Sequence, residues 1–165
     1  MRLHQIPRGG VCVLIGAPGA GKTTLAAEYL AAGAHVVSLD DARGRYGQHS
    51  GDQDATPAAV MDVVEQMIRL VRRDELVVLD ATNVKQSDRA VPLGIARAHG
   101  VESLAHVLRT PLELCRLRNA ARPAHRCVPD EKLIAMWHDV DRLTPEGLRA
   151  QGFTHVHVSR EVAHP

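Results

Sequence analysis

Residues 13–30 read VLIGAPGAGKTTLAAEYL, and no other stretch limits the possible folds as tightly. An apolar run, Val11 to Ile15, enters a glycine-rich turn that ends in Lys-Thr-Thr and opens a helical pattern. The turn (Gly16, Ala17, Pro18, Gly19, Ala20, Gly21, Lys22 and Thr23) fits the spacing G-x-x-x-x-G-K-[ST]. Glycines at those positions let backbone N–H groups converge without Cβ clashes. The helix that follows aims the positive end of its dipole at the same point, so the turn is suited to an anion such as a phosphate. In this reading Lys22 reaches the β and γ phosphates of a nucleoside triphosphate. The Thr23 hydroxyl sits on Mg²⁺, with Thr24 beside it. The motif requires strand, loop and helix. The flanks supply a strand at Val11–Ile15 and a helix from Lys22 to Ala32, closed by Gly33.

Further strand signals recur at His35–Leu39, Leu76–Leu79, Leu104–Leu108 and His155–Val158. The stretch LVVLD is continuously apolar up to its Asp, as expected of a parallel strand covered on both faces. Helical patterns lie between the strands. Thr56-Pro57 supplies a cap and a first-turn proline, and Val60, Val63, Val64, Met67 and Val71 follow helical spacing to about Arg73. Ser87 is placed to cap a helix running towards His99 and Gly100, with a kink or restart at Pro92. Leu112 to Ala120 forms another. Pro129 opens the next, where Leu133, Met136, Trp137 and Val140 make one stripe, and core packing is the expected role of that lone Trp. Alternating strands and helices predict an α/β fold, a doubly wound parallel sheet in a three-layer sandwich. A chain of 165 residues is expected to form a single domain, 1–165.

Composition adds exclusions. No run approaches the 18 apolar residues of a membrane span. The start, MRLHQIPRGG, lacks the apolar core of a secretory signal. Cys12, Cys115 and Cys127 have no metal-ligand spacing and are odd in number, which predicts reduced cysteines and a cytoplasmic protein. His155 and His157 share a strand face, which alone is not a metal site. The net charge of +1 says nothing about nucleic acid, but four Arg and no acid fall between Leu114 and Pro129: Arg116, Arg118, Arg122 and Arg126.

In parallel α/β sheets ligands bind beyond the carboxyl ends of the strands. That rule selects Gly16–Thr23, Asp40–Arg43, Asp80–Asn83 and the region after Arg109. In SLDDARGRYG, Asp40 and Arg43 are three apart and share a face in a helical turn. A carboxylate there can orient an attacking hydroxyl and take its proton, and Arg43 can hold the acceptor. Asp41 competes with Asp40, or caps the turn. In VVLDATN, Asp80 ends a buried strand beside the phosphate loop and is placed to organise Mg²⁺. Asn83 and Thr82 either support that loop or touch ligand. The segment CRLRNAARPAHRCVP reads as an Arg-rich lid that closes over the nucleotide and excludes water. Arg118 and Arg122 are one turn apart on a helical face, and Arg126 lies beyond Pro123.

With these motifs quoted, the chain resembles the P-loop polynucleotide 5′-kinase family, including the kinase modules of bacterial and phage end-healing RNA repair enzymes. The likeness covers nearly the whole chain and rests on GAPGAGKTT, on DDAR, on DATN with Arg89 downstream, and on RNAARPAHRCVP. The resemblance implies an adenylate-kinase-like sheet, ATP or another NTP with Mg²⁺, and a 5′-OH end of RNA or DNA as acceptor. It implies Asp40 as general base, Arg43 on the acceptor phosphate, and Lys22 with Arg118, Arg122 and Arg126 on the ATP phosphates. Arg43, Arg45 and Arg89 are expected to line the acceptor groove, together with the polar loop at residues 44–57. Two other readings stand beside this one. One is a kinase for a small hydroxylated metabolite, nucleotide or antibiotic; the other is a nucleotide-dependent switch or ATPase.

Overall fold

The computed structural model describes residues 9–48, 54 and 56–160. The start at residues 1–8 and most of the polar stretch after Gln48 lie outside the described residues. Five strands, β1 (Val11–Ile15), β2 (His35–Ser38), β3 (Val77–Asp80), β4 (Ser103–Arg109) and β5 (His155–Arg160), form one sheet in the order β2-β3-β1-β4-β5. Every pairing is parallel. The register sets Ser38 opposite Asp80 and Ile15 opposite Val107, so the carboxyl ends of four strands open at one edge.

Alternation along β1 explains the layers. Val11, Val13 and Ile15 face one side and Cys12 and Leu14 the other, and each is at most 1% exposed. Cys12 and Leu14 pack with Ala26 and Tyr29 of α1 (Lys22–Ala31). On the other face lie α3 (Thr56–Val71), α4 (Gln86–His99) and α7 (Pro145–Gln151), which contribute Val63, Met67, Leu93, Ile95 and Leu148. Burying side chains of this size stabilises by roughly 1.5–3 kcal/mol each, before chain entropy is set against it. A smaller cluster sits beneath the glycine-rich turn. There Ala17, Ala20 and Leu108 meet Cys115 of α5 (Leu112–Ala120) and Leu133 of α6 (Asp130–Asp141).

The expected three-layer α/β architecture is thus observed, with local differences. Strand β2 stops at Ser38 because the Ser38 hydroxyl accepts the Asp41 N–H and caps α2 (Leu39–Tyr46). Asp41 is therefore not the cap; its own N–H is what is capped. Helix α4 starts before Ser87, where the Asp88 carboxylate accepts the Lys85 N–H, and it runs through Pro92 without a restart. The buried stripe of α3 is Ala59, Val63, Met67 and Val71, while Val60 is exposed. Helix α7 was not anticipated. Thr144 caps it by accepting the Gly147 N–H, Pro145 opens it, and Gly152 closes it at φ +116°.

Candidate active site

The glycine-rich turn joins β1 to α1 as a tight loop. Gly19 has φ +80°, and a Cβ there would come within 2.4 Å of the Cys115 carbonyl oxygen. The position therefore excludes a side chain on two grounds, backbone conformation and space. Thr110, immediately after β4, is buried and donates its hydroxyl to the Ala20 carbonyl at 2.9 Å. Its own carbonyl accepts the Trp137 indole N–H at 2.8 Å. Trp137 is half-buried and packs under the turn, as expected of a core residue. A cavity of about 290 Å³ opens beside this contact, walled by Ala17, Ala20, Thr110, Pro111, Trp137 and Arg160.

Lys22 is the first helical residue, and its side chain is not directed to solvent. It is 8% exposed, and Nζ donates to the Gly16 and Ala17 carbonyls at 2.9 and 2.8 Å. Burial pulls its pKa down from the usual 10.5 to about 8, against the opposing pull of Asp80. The nearby Arg122 charge pushes in the same direction as burial. A polyanion beside Nζ would reverse that shift. Thr23 Oγ1 donates to Asp80 Oδ2 at 3.1 Å. Asp80 is 9% exposed, and burial raises its pKa above the ordinary carboxylate value, partly offset by Lys22 and by the Thr23 hydroxyl. Thr23 and Thr24 themselves are exposed in the first turn of α1.

Across the edge, the first turns of α2 carry the proposed acceptor chemistry. Asp40 Oδ1 accepts Arg43 Nη1 at 3.1 Å, as the three-residue spacing predicts. Asp40 Oδ2 accepts Nη2 of Arg126, 86 residues away, also at 3.1 Å. One carboxylate thus joins helix α2 to the arginine segment between α5 and α6. Arg43 is also anchored by donation from Nε to Thr56 Oγ1 at 3.1 Å, which fixes α2 against α3.

That arginine segment has a clasp which the sequence reading did not single out. Asn119 is 6% exposed; its Nδ2 donates to the Val128 carbonyl at 2.8 Å, and its Oδ1 accepts the Val128 N–H at 3.1 Å. Both ends of the segment are thereby tied together. Arg116 reinforces the tie with a two-pronged contact to Asp130, Nε to Oδ1 at 2.8 Å and Nη2 to Oδ2 at 2.6 Å. Arg118 reaches the phosphate loop, with Nη1 3.4 Å from the Gly19 carbonyl oxygen. Arg118 thus reaches the loop and Arg126 reaches Asp40, the Arg122 charge is felt at Lys22, and Arg116 has a structural role.

Two other expectations, Asn83 and Arg89 as substrate contacts, are corrected. Asn83 is 3% exposed at φ +48° and donates to the Leu14 carbonyl at 2.8 Å, so it braces the loop after β3 and does not face a ligand. Arg89 is 2% exposed. Its guanidinium donates to the Asn83, Val84 and Gln151 oxygens at 2.8, 2.6 and 2.9 Å, so it lines no groove. Arg45 stays half-exposed and pairs with Asp62 of α3, which holds the Asp62 carboxyl below its ordinary pKa.

The parallel sheet, the buried P-loop lysine and the Thr23–Asp80 contact define a nucleotide-binding domain of the P-loop kinase type. The chain belongs to the AAA domain family, whose model matches residues 11–143. No curated protein matches it. Among solved structures it is similar to a chain of the Pnkp1/Rnl/Hen1 RNA repair complex, at 20% identity and a TM-score of 0.69, with 89% of this chain and 47% of that chain covered. It is similar to the Mycobacterium tuberculosis APS kinase CysC in complex with AMPPNP and APS, at 22% identity and a TM-score of 0.54, with 70% of each chain covered. It is also similar to a gluconokinase from Sinorhizobium meliloti 1021, at 19% identity and a TM-score of 0.58, with 96% of this chain and 86% of that chain covered. The chain spans about half the length of the RNA repair chain it matches. At these identities the likeness speaks to the fold. Among the described residues no helix is long and apolar enough to cross a membrane.

Proposed function

We propose that this chain transfers the γ-phosphoryl group of ATP, or of another NTP, to the 5′-hydroxyl end of RNA or DNA. The observation that carries the reading is Asp40, a carboxylate held between Arg43 and the distant Arg126 at the sheet edge that presents the phosphate loop. In the reaction Asp40 accepts the proton of the 5′-hydroxyl as its oxygen attacks the γ-phosphorus in line. The bond from the γ-phosphorus to the β–γ bridging oxygen breaks, and the nucleoside diphosphate leaves. Arg43 holds the phosphate on the 3′ side of the acceptor nucleotide. Lys22 turns from the Gly16 and Ala17 carbonyls to the β and γ phosphates. Arg118, Arg122 and Arg126 stabilise charge on the group in flight, which requires Arg126 to leave Asp40.

The Thr23 hydroxyl and Asp80 carboxylate are a hard oxygen pair 3.1 Å apart, and a cation beside them would relieve the burial of Asp80, so the pair fits Mg²⁺. When bound, Mg²⁺ neutralises charge on the β and γ phosphates. A second reading is transfer to a small hydroxylated metabolite. It is supported by the fuller coverage of the gluconokinase, 86% of that chain against 47% of the RNA repair chain. Incubation of the protein with γ-labelled ATP, Mg²⁺ and a 5′-OH oligonucleotide, beside sugar and adenylyl sulfate acceptors, separates the two. Label on the oligonucleotide alone supports the first reading, and label on a small acceptor alone overturns it.

A further inference from the structure

We propose that Thr110 is a positioning residue for the donor phosphates, acting through the backbone of the phosphate loop. The inference rests on the reading above only in that the loop holds phosphates, and it is indifferent to the acceptor. Thr110 follows β4 directly and is 4% exposed. Its hydroxyl donates to the Ala20 carbonyl at 2.9 Å, a partner 90 residues away in the chain. Its own carbonyl accepts the Trp137 indole N–H at 2.8 Å and the Cys115 thiol at 3.8 Å, so Thr110 is itself held from α6 and α5.

The Ala20 carbonyl and the Gly21 N–H belong to one planar trans peptide, in which they point in opposite directions. A hydroxyl that holds the carbonyl from beneath therefore aims the Gly21 N–H to the other side of the loop. That is the side on which a turn of this kind gathers its N–H groups around an anion. Without the tie the peptide plane is free to turn. Gly19 and Gly21, at φ +80° and +91°, flank Ala20. Glycine populates negative φ about as readily, so little at Gly21 resists a rotation of that plane. The rotation would set a carbonyl oxygen against the phosphates in place of the N–H. Other carbonyls of the loop are tied as well, Gly16 and Ala17 by Lys22 and Gly19 by Arg118. Lys22 and Arg118 are cations that turn to the phosphates in the proposed reaction. Thr110 is neutral and buried, so its support persists when nucleotide is bound.

The experiment titrates wild type, Thr110→Val and Thr110→Ser with inorganic tripolyphosphate and with a non-hydrolysable ATP analogue, following the Gly21 amide by NMR. Val keeps the shape and sets a methyl where the hydroxyl stands, so no water replaces the lost donor. A hydrogen bond to a charged group is worth a factor of roughly 10 to 150 in affinity, and Thr110→Val should weaken both ligands by that factor. An equal loss on both marks the phosphates, because tripolyphosphate has neither base nor sugar. Thr110→Ser keeps the hydroxyl and should bind as wild type does. The Gly21 amide proton should move downfield on binding in wild type and Thr110→Ser, and far less in Thr110→Val. Wild-type affinity in Thr110→Val overturns the proposal, as does a loss that Thr110→Ser shares. Should Thr110→Val fail to fold, wild type still decides: a Gly21 amide that stays unmoved while tripolyphosphate binds overturns the proposal. Wild type that binds neither ligand overturns the parent reading of the loop instead, so the two failures are distinguishable.

Discussion

Replacing Arg89 with Met is the sharpest test of how this fold uses its arginines. Arg89 is 2% exposed and gives Nη1 to the Asn83 and Val84 carbonyls and Nε to Gln151. Met keeps much of the aliphatic volume and removes every donor. Two buried backbone carbonyls then lose a partner, at about 1–3 kcal/mol each. Relief from burying the guanidinium offsets part of that sum, leaving a net loss of about 3 kcal/mol. For a domain of this size each kcal/mol moves the midpoint by about 2–4 °C, so Tm should fall by about 6–12 °C. The fall should be read by circular dichroism in parallel with transfer kinetics well below the midpoint. The acceptor KM should be unchanged. A variant with wild-type Tm and a raised acceptor KM would show that Arg89 faces the ligand, and would refute the structural role derived from its burial.

Three further predictions concern the charges. Lys22→Ala should abolish transfer, and wild-type nucleotide affinity should weaken as pH rises from about 8 towards 10.5, because phosphates restore the proton that burial pulls from Lys22; calorimetry at pH 9 in buffers of different ionisation enthalpy should show proton uptake on binding. His106 is 6% exposed, bonded through Nδ1 to the Tyr29 hydroxyl at 2.9 Å, and burial followed by His157 pulls its pKa from 6.5 down to about 4. The folded protein keeps this ring neutral while the unfolded chain protonates near 6.5, so its contribution is full above pH 6.5 and is lost as pH falls to about 4. Over that 2.5-unit gap, at 1.36 kcal/mol per unit, the loss is about 3 kcal/mol, which His106→Phe should remove from the pH profile of urea unfolding. Arg122→Ala and Arg126→Ala should each reduce turnover by about 10³-fold or more, with Lys restoring only part of it; wild-type turnover in both would reduce the segment to a basic surface.

Which parts of this were legible in the sequence follows from the range over which each feature is determined. The phosphate loop is local: glycine spacing, an entering strand and an emerging helix lie within about twenty residues, and each implies the others. The Asp40–Arg43 contact is local too, since helical spacing alone brings the two together. The Arg126–Asp40 contact joins residues 86 apart, and no periodicity could announce it. Arg89 and Asn83 misled for the same reason. Asn83 lies just past β3, where ligand residues gather, and Arg89 lies within the first turns of α4, but each is buried against a partner far along the chain, Leu14 and Gln151. Lys22 was identified by its motif, yet its fold-back onto Gly16 and Ala17 depends on the loop's three-dimensional path. Helix α7 had readable signals in Thr144-Pro145 and Gly152, but seven residues carry too little periodicity to stand out.

In the proposed reaction Asp40 takes the proton of an acceptor hydroxyl at a nucleic acid 5′ end. Label transfer from γ-labelled ATP to a 5′-OH oligonucleotide, by wild type and by Asp40→Asn, tests it most directly when ATP affinity is titrated on the same preparations. Asn keeps the size and one acceptor oxygen but loses the base, so kcat should fall by about 10²–10⁴-fold. ATP affinity should hold or rise, because Arg126 is released from its 3.1 Å contact with the carboxylate. Asp41→Asn should remain near wild type. Undiminished transfer by Asp40→Asn, or its loss in Asp41→Asn instead, would rule out Asp40 as the base.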